Sequence, residues 1–392
     1  MLLRQILKSI DPIDVAGSVN RQVTLVTNDP RGVIPGALYV SHGEANESEF
    51  VRASIASSRG AVAIVCRDSS QLSARSTRIR VADPSLALAR AAAAFYGYPA
   101  LKLEIYRFIP GEDSAANAYR ARQVLEAHRI KTGLITPFVS QIGEREHPAQ
   151  PRPLNGMDFQ RLLSEMVDHG CRACLLDGSV ADAVKVFGAG PVRWFQVRTI
   201  GEVLRPLGLK WQDGTDASVI PCPGREEQID CGQKFEVMVE RSETPERLES
   251  VLRSVRRRVR GHVYVVFGGK ASHSSQQRSG FGHAIGRFAD GVWITTDDPS
   301  NQQPSHLAEE VAFAWRQVRP EPAQRQLDRS MAIRSALWRC RPGDALVVAG
   351  KGAETFNILA DTVVPFDDRE ECRECLGQLG FSGNTGARAL NE

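Results

Sequence analysis

The chain has 392 residues, 42% of them apolar and 24% charged, and its 49 basic and 46 acidic side chains leave a formal charge of +3. Such a balance belongs to a soluble globular protein with room for two or three cores. It excludes collagen-like and disordered chains and offers no one-signed field for nucleic acid. No apolar run reaches the roughly 20 residues of a membrane span, and the N-terminal MLLRQILKSIDPID lacks a signal-peptide core, so the expected location is the cytoplasm.

In chain order, β-type runs QVTLV (22–26), ALYV (37–40) and AVAIVC (61–66) alternate with helical segments and end in the alanine-rich SLALARAAAAFYG. A second unit follows: strand LEIYRFI, helix from Ala115 to His128, strand KTGLI, helix from Met157 to His169, strand ACLL. Alternation of this kind generates a parallel sheet. The proline-rich PAQPRPL (148–154) reads as a loop, and Gly178 to Gln233 as a loosely organised stretch or junction. After Phe235 come EVMV, a helix from Pro245 to Arg258, HVYVVFGG, a helix over Phe281 to Ala289 and GVWITT. Two more helices (Ser305 to Gln317, Asp328 to Arg339), ALVVAG and a final helix after Asp367 complete the chain. The fold class is therefore α/β in three domains, with expected boundaries 1–100, 101–222 and 223–392, the last Rossmann-like.

The basic run Arg253 to Arg260 falls on a predicted helix and reads as a solvated face. Eight cysteines include two Cys-x-x-Cys spacings, Cys171/Cys174 and Cys372/Cys375. Residues three apart on a strand point to opposite faces, and neither pair has the glycine-bearing turn of a zinc knuckle, so free thiols are expected and no metal site.

Specific strings go further than the pattern. TNDPRGVIPGALYVSHGEANESEF in the first domain, KTGLI and FQRLLSEMVDHGCRACLLDGS in the second, and PGREEQIDCGQKFEVMVERSETPERLE, TTDDPSNQQP, GDALVVAGKGAETF and FDDREECRE in the third occur in this order. Together they resemble the Mur ligase that adds the third residue of the peptidoglycan stem peptide, over most of the chain from Val26 to Cys375. The resemblance implies a UDP-substrate domain with Asp29, Arg31, Gly43 and Glu44 at its site, an ATPase-like central domain and a Rossmann-like ligase domain. The ligase-domain site would carry Arg225, Asp297, Pro299, Lys351 and Glu354.

The chemistry departs from the family's pattern. Its ATP loop, Gly-Thr-Asn-Gly-Lys-Thr-Thr, falls on Pro110-Gly111-Glu112-Asp113-Ser114-Ala115-Ala116, with Ser114 at the lysine position. A phosphate cradle needs converging N–H groups, a lysine and a hydroxyl for magnesium; two carboxylates there repel. The same string also reads as a strand-to-helix connection with Asp113 or Ser114 as N-cap. Glu-x-Ser-Ser-His has become Asp177-Gly178-Ser179-Val180-Ala181, and the section after it is too short for the family's second magnesium ligand and carbamylated lysine. Asp-Tyr-Ala-His-x-Pro has become Glu240 to Pro245. Asp-Asn-Pro-Arg is Asp297-Asp298-Pro299-Ser300, so the fork that grips a diaminopimelate carboxylate is gone. Gly-Lys-Gly-His-Glu is Gly350-Lys351-Gly352-Ala353-Glu354.

The expectation is a catalytically degenerate homologue without a cofactor, holding a UDP-muramoyl peptide or a cell-wall biosynthesis protein, with no nucleic acid and no membrane insertion. Two alternatives follow from the same residues. One is a working ligase that uses ATP and magnesium, with Asp177 as the metal ligand; the other is an assembly or regulatory protein whose clefts have closed.

Overall fold

The computed structural model describes residues 1–41, 47–70, 72–148, 154–180, 194–209, 220–360 and 362–381, the side chains of 47, 48 and 148 excepted. Two compact units divide the chain, Met1–Thr215 and Asp216–Glu392.

The first unit holds two sheets. Strands β1 (Asp14–Ala16), β2 (Leu25–Thr27), β3 (Ala37–Val40), β4 (Ala63–Cys66) and β5 (Thr77–Arg80) lie in the order β1-β5-β4-β3-β2. Only the β1 edge is antiparallel. Every residue of β3 and β4 is buried. A parallel strand covered on both faces must read as a continuous apolar run, and ALYV and AIVC do. Helices α1 (Leu3–Leu7), α2 (Glu47–Ser58) and α3 (Pro84–Phe95) accompany this sheet. The α3 start is written in sequence: Asp83 accepts from the Ser85 and Leu86 amides, and Pro84 sits where its missing N–H costs nothing.

The second sheet runs β11-β6-β10-β7-β8-β9, from β6 (Glu104–Phe108), β7 (Thr132–Ile135), β8 (Val139–Ile142), β9 (Arg145–Pro148), β10 (Ala173–Asp177) and β11 (Trp194–Val197). Strands β11, β6, β10 and β7 are mutually parallel. The hairpin β8–β9, not expected from the sequence, adds two antiparallel strands that end at Pro148, where the segment read as a loop begins. It is short and polar, and buried Arg122 fastens it, donating to Gln141 Oε1 (3.0 Å), Gly143 O (2.8 Å) and Thr132 O (3.0 Å). Helices α4 (Ser114–Ala127), α5 (Gly156–Asp168) and α6 (Ile200–Leu204) complete the set. Close approach joins α5 to α3, since a Cβ on Gly156 would lie 2.5 Å from Ala89 Cβ.

The second unit is a six-stranded sheet, β12-β13-β17-β14-β15-β16, parallel except at the β12 edge. Its strands are β12 (Glu227–Gln228), β13 (Glu236–Glu240), β14 (Val263–Gly269), β15 (Gly291–Thr296), β16 (Gln324–Arg325) and β17 (Ala345–Ala349). One face buries Leu252, Phe267, Phe281 and Trp315 beneath α7 (Pro245–Arg258), α8 (Ser275–Phe288) and α9 (Pro304–Arg316). The opposite face buries Val239, Ile333, Leu337, Cys372 and Leu376 beneath α10 (Arg329–Arg339) and α11 (Asp368–Gln378). Helix α8 starts six residues before the expected Phe281, because Ser274 and Gln277 form a capping box upstream of the first apolar residue. A hairpin, β18 (Phe356–Leu359) with β19 (Thr362–Pro365), was not expected either. No helix among the described residues is long and apolar enough to cross a membrane.

Candidate functional site

In the first sheet, the turn after β2 is closed by its own side chains. The Asp29 carboxylate accepts from the Arg31 amide at 2.8 Å, and Thr27 Oγ1 accepts from the Asp29 amide at 3.1 Å. Asp29 and Arg31 are both exposed. Gly43 and Glu44 lie outside the described residues.

In the second sheet, the loop after β6 leads through Gly111 and Asp113 into α4. Asp113 holds the N-cap position without a side-chain capping bond, and Ser114, the first helical residue, is buried. Its hydroxyl lies 2.7 Å from Gly111 O and 2.9 Å from Asp177 Oδ2, so one proton is shared between two acceptors. Ser179 closes the other side, giving both its amide and its hydroxyl to Asp177 Oδ1 at 2.7 Å. Both oxygens of the Asp177 carboxylate are therefore satisfied inside the protein. Gly178 makes this knot possible: a Cβ there would fall 2.4 Å from Phe108 O and 2.9 Å from Pro110 Cδ. No such constraint holds Gly111, whose Cβ would meet nothing nearer than Ile109 O at 3.9 Å.

In the second unit, polar residues gather at the carboxyl ends of β13, β14, β15 and β17, the place where open α/β sheets bind ligands. Lys270 follows β14, Asp297 and Asp298 follow β15, and Lys351 and Glu354 follow β17. Lys270 Nζ is 2.8 Å from both Glu354 carboxylate oxygens and 3.9 Å from Asp297 Oδ2 and Asp298 Oδ2. Lys351, fully buried, lies 3.3 Å from Asp297 Oδ1, 3.4 Å from Glu354 Oε2 and 3.6 Å from Asp298 Oδ1. Buried charges persist only when paired, and here two ammonium groups face three carboxylates.

The backbone is bent to build this cluster. Asp298 and Ser300 flank buried Pro299 with φ of 41° and 49°, the left-handed region that non-glycine residues seldom enter. Asp298 Oδ1 is fixed by the Ile358 amide at 2.8 Å. Gly350 and Gly352 have φ of 117° and 59°, and a Cβ on Gly350 would sit 2.8 Å from Asp297 Oδ2. A Cβ on Gly224 would strike the Ala353 amide at 2.0 Å, so the loops bearing Arg225 and Glu354 touch only because position 224 has no side chain.

Titration follows from this packing. Burial works against the Lys270 ammonium, but Asp297, Glu354 and Asp298 outweigh it and hold the group above the ordinary lysine value. Burial likewise opposes the Asp297 carboxylate, and Lys270, Lys351 and Arg329 outweigh that and hold it low. Asp298 goes the other way, raised by burial and by Asp297 against the pull of Lys351 and Lys270. Burial and Lys270 together hold the His273 imidazole low.

Of the residues singled out by the sequence, Asp297, Pro299, Lys351 and Glu354 come together here. Arg225 lies beside them but is bound into a different set. It donates to Arg241 O at 2.7 Å and sits 3.6 Å from the fully buried Glu240 carboxylate, which Arg247 (3.0 Å) and the Glu226 amide (2.7 Å) also hold. Lys270 was missed. Its signal was the Gly268-Gly269-Lys270 step closing a strand, which places a lysine at the ligand-binding edge of a parallel sheet. Asp297, Asp298 and Glu354 are also the one group of three or more potential metal ligands among the described residues. Cys171 and Cys174 are buried at β10, and Cys372 and Cys375 on the inner face of α11.

Three parallel-stranded α/β sheets in succession, the second and third carrying polar knots at their strand ends, define a multidomain α/β protein. Residues 224–352 match the Mur ligase, glutamate ligase domain family. The chain is similar to the UDP-N-acetylmuramyl-tripeptide synthetase of Roseiflexus sp. (strain RS-1), at 25% identity over 98% of this chain and 100% of the relative. It is also similar to the UDP-N-acetylmuramoyl-L-alanyl-D-glutamate–2,6-diaminopimelate ligase of Geobacillus thermodenitrificans, at 24% identity over 96% of this chain and 99% of the relative. Among solved structures, a ligase of that same diaminopimelate-adding type aligns with TM-score 0.54 at 15% identity, covering 97% of this chain and 100% of that one. A MurF from Acinetobacter baumannii aligns with TM-score 0.57 at 9% identity, covering 90% and 96%. Residues 224–352 therefore carry the ligase domain of the Mur ligase family, and over nearly its whole length the chain is similar to UDP-N-acetylmuramoyl-peptide ligases.

Proposed function

We propose that this chain is a catalytically degenerate Mur ligase homologue, which holds a UDP-muramoyl precursor or a protein of cell-wall biosynthesis without activating a carboxylate through ATP. The observation that carries this reading is the closed knot of Ser114, Asp177 and Ser179 at the position of the family's ATP loop. An ATP phosphate chain with magnesium calls for a lysine and converging amides on one side and an available carboxylate on the other. The loop offers Glu112 and Asp113 instead, and the Asp177 oxygens are engaged by two serines. This donor set does not fit the nucleotide. Chain length supports the same reading: the alignment with the Roseiflexus relative runs over 510 residues, against 392 in this chain.

Calorimetry with ATP and magnesium tests the proposal, combined with a phosphate-release assay in the presence of UDP-N-acetylmuramoyl-dipeptide. The expected outcome is no heat of nucleotide binding and no phosphate. Micromolar ATP binding with precursor-dependent phosphate release would overturn it.

A further inference from the structure

The end of the third sheet away from its charged cluster has a character of its own. Before β13, β14 and β17 the chain segments are tied together: the Gly343 amide donates to Lys234 O at 2.9 Å and the Gly261 amide to Gly343 O at 3.0 Å. The last turns of α7 and α10 run into this junction and bring cations. Arg256, Arg257, Arg258 and Arg260 come from α7 and the turn after it, Arg339 and Arg341 from the end of α10, and Lys234 from the loop before β13. Against these seven stand Asp230, Glu236, Asp290 and Asp344, an excess of positive charge equal to the +3 of the whole chain. The near-neutral total of the sequence thus conceals a local field of one sign.

The carboxylates are engaged in holding the junction. Arg256 pairs with Asp290 at 2.8 Å and Arg258 with Glu236 at 3.0 Å, Asp344 accepts from the His262 and Arg341 amides at 2.7 and 2.8 Å, and Asp230 from the Gly232 amide at 2.8 Å. Lys234, Arg257 and Arg260 are exposed and make no ion pair among the described residues. Beside them, in the last turn of α10, Trp338 is 67% exposed, more than any other large apolar side chain described, and its carbonyl accepts from Arg341 at 3.1 Å.

We propose that this amino-end face docks the chain on an anionic lipid bilayer, lying on the headgroups without entering the hydrocarbon. Two observations favour lipid over an acidic protein or nucleic acid. An exposed Trp ring among arginines, apolar in body with one N–H donor, suits the headgroup level of a membrane. Cations on long side chains without fixed partners suit headgroups that diffuse to meet them, whereas a folded partner has to match a shape. The seven residues of β14 separate this face from the cluster at the carboxyl ends by about 20 Å, so docking leaves that end of the sheet open. The inference is independent of whether ATP is bound.

Cosedimentation of the full chain with vesicles tests it. The chain should sediment with phosphatidylcholine vesicles carrying about 30% phosphatidylglycerol, not with pure phosphatidylcholine, and should be released at about 1 M salt, where screening acts within about 3 Å. The triple variant Lys234→Glu, Arg257→Glu, Arg260→Glu should lose about a hundredfold in partition or more. A control with the same change of net charge, Lys8→Glu, Arg75→Glu, Lys102→Glu at exposed positions of the first unit, should lose far less. Equal losses in the two variants, or no preference of the native chain for the anionic vesicles, would overturn the proposal. So would tighter binding of a DNA duplex or of poly-glutamate than of the vesicles at the same salt. Should the triple variant not fold, brominated phosphatidylglycerol supplies a second readout: it should quench the native chain's fluorescence and quench Trp338→Phe less. Equal quenching of the two would count equally against docking by this face.

Discussion

At the scale of single residues, the charges of the second unit are the most consequential feature. Lys351 has no exposed side-chain surface and three carboxylates within 3.6 Å. Removing one partner of a buried ion set leaves uncompensated charge, so Lys351→Met should cost about 3–5 kcal/mol in urea unfolding. A loss within surface-mutation range would contradict the packing described. Sign distinguishes the cluster's members on titration. Lys270 is held above its ordinary 10.5, so its stabilisation is complete below that value and disappears as pH rises through the folded one. Asp297 is held below 3.8, so its contribution is present above that value and is lost as pH falls through the folded one. Asp298, raised, has the opposite sign from Asp297 and is less costly once protonated. The stability difference between native chain and Lys270→Met should therefore be level across neutral pH and shrink at both ends, as the carboxylates protonate at low pH and as Lys270 deprotonates beyond the ordinary lysine range. A difference that vanished near neutrality would point to some other origin.

At the scale of elements, what the sequence made legible was what burial writes into it. Strands β3, β4, β14 and β17 are covered on both faces and appear as unbroken apolar runs, and helix starts at Asp83, Thr244 and Asp367 carry a capping side chain just ahead of an apolar pattern. The hairpins β8–β9 and β18–β19 escaped because their residues are short, polar or exposed runs whose definition lies in cross-strand pairing. Helix α8 was read too short for the related reason that its first turn is polar. Caps are testable one at a time. Asn155 accepts from both the Met157 and Asp158 amides, and Asn155→Ala should cost about 1 kcal/mol with little change in the denaturant slope. Gly282 is a different kind of element-level contact: a Cβ there would fall 2.4 Å from Val311 O, so Gly282→Ala should push α8 and α9 apart and lower Tm measurably.

At the scale of the whole molecule, the third sheet carries its own core on each face, and every residue of both belongs to Asp216–Glu392. A fragment of those residues should fold alone, with a cooperative thermal transition; a fragment without one would show that the unit depends on the rest of the chain. The candidate site was legible to the extent that strings fix positions. Asp297, Pro299, Lys351 and Glu354, named from their strings, lie near one another, while the engagement of Asp177 by Ser114 and Ser179 and the reach of Lys270 into the cluster depend on strands adjacent in space and distant in sequence. Arg225 was named with the same domain's site, and its guanidinium serves the buried Glu240.

The eight cysteines have a practical use. All are free and buried, and burial pushes the Cys66 and Cys340 thiols up to about 12 and Cys375 to about 11. Thiolate is the reactive form, so the native chain should be nearly silent towards maleimides near neutral pH. A cysteine introduced at exposed Arg31 would then be a unique attachment point for a fluorophore beside the turn of Asp29. On the proposed function, titration with UDP-N-acetylmuramoyl-dipeptide should change that label's emission, with no native thiol removed.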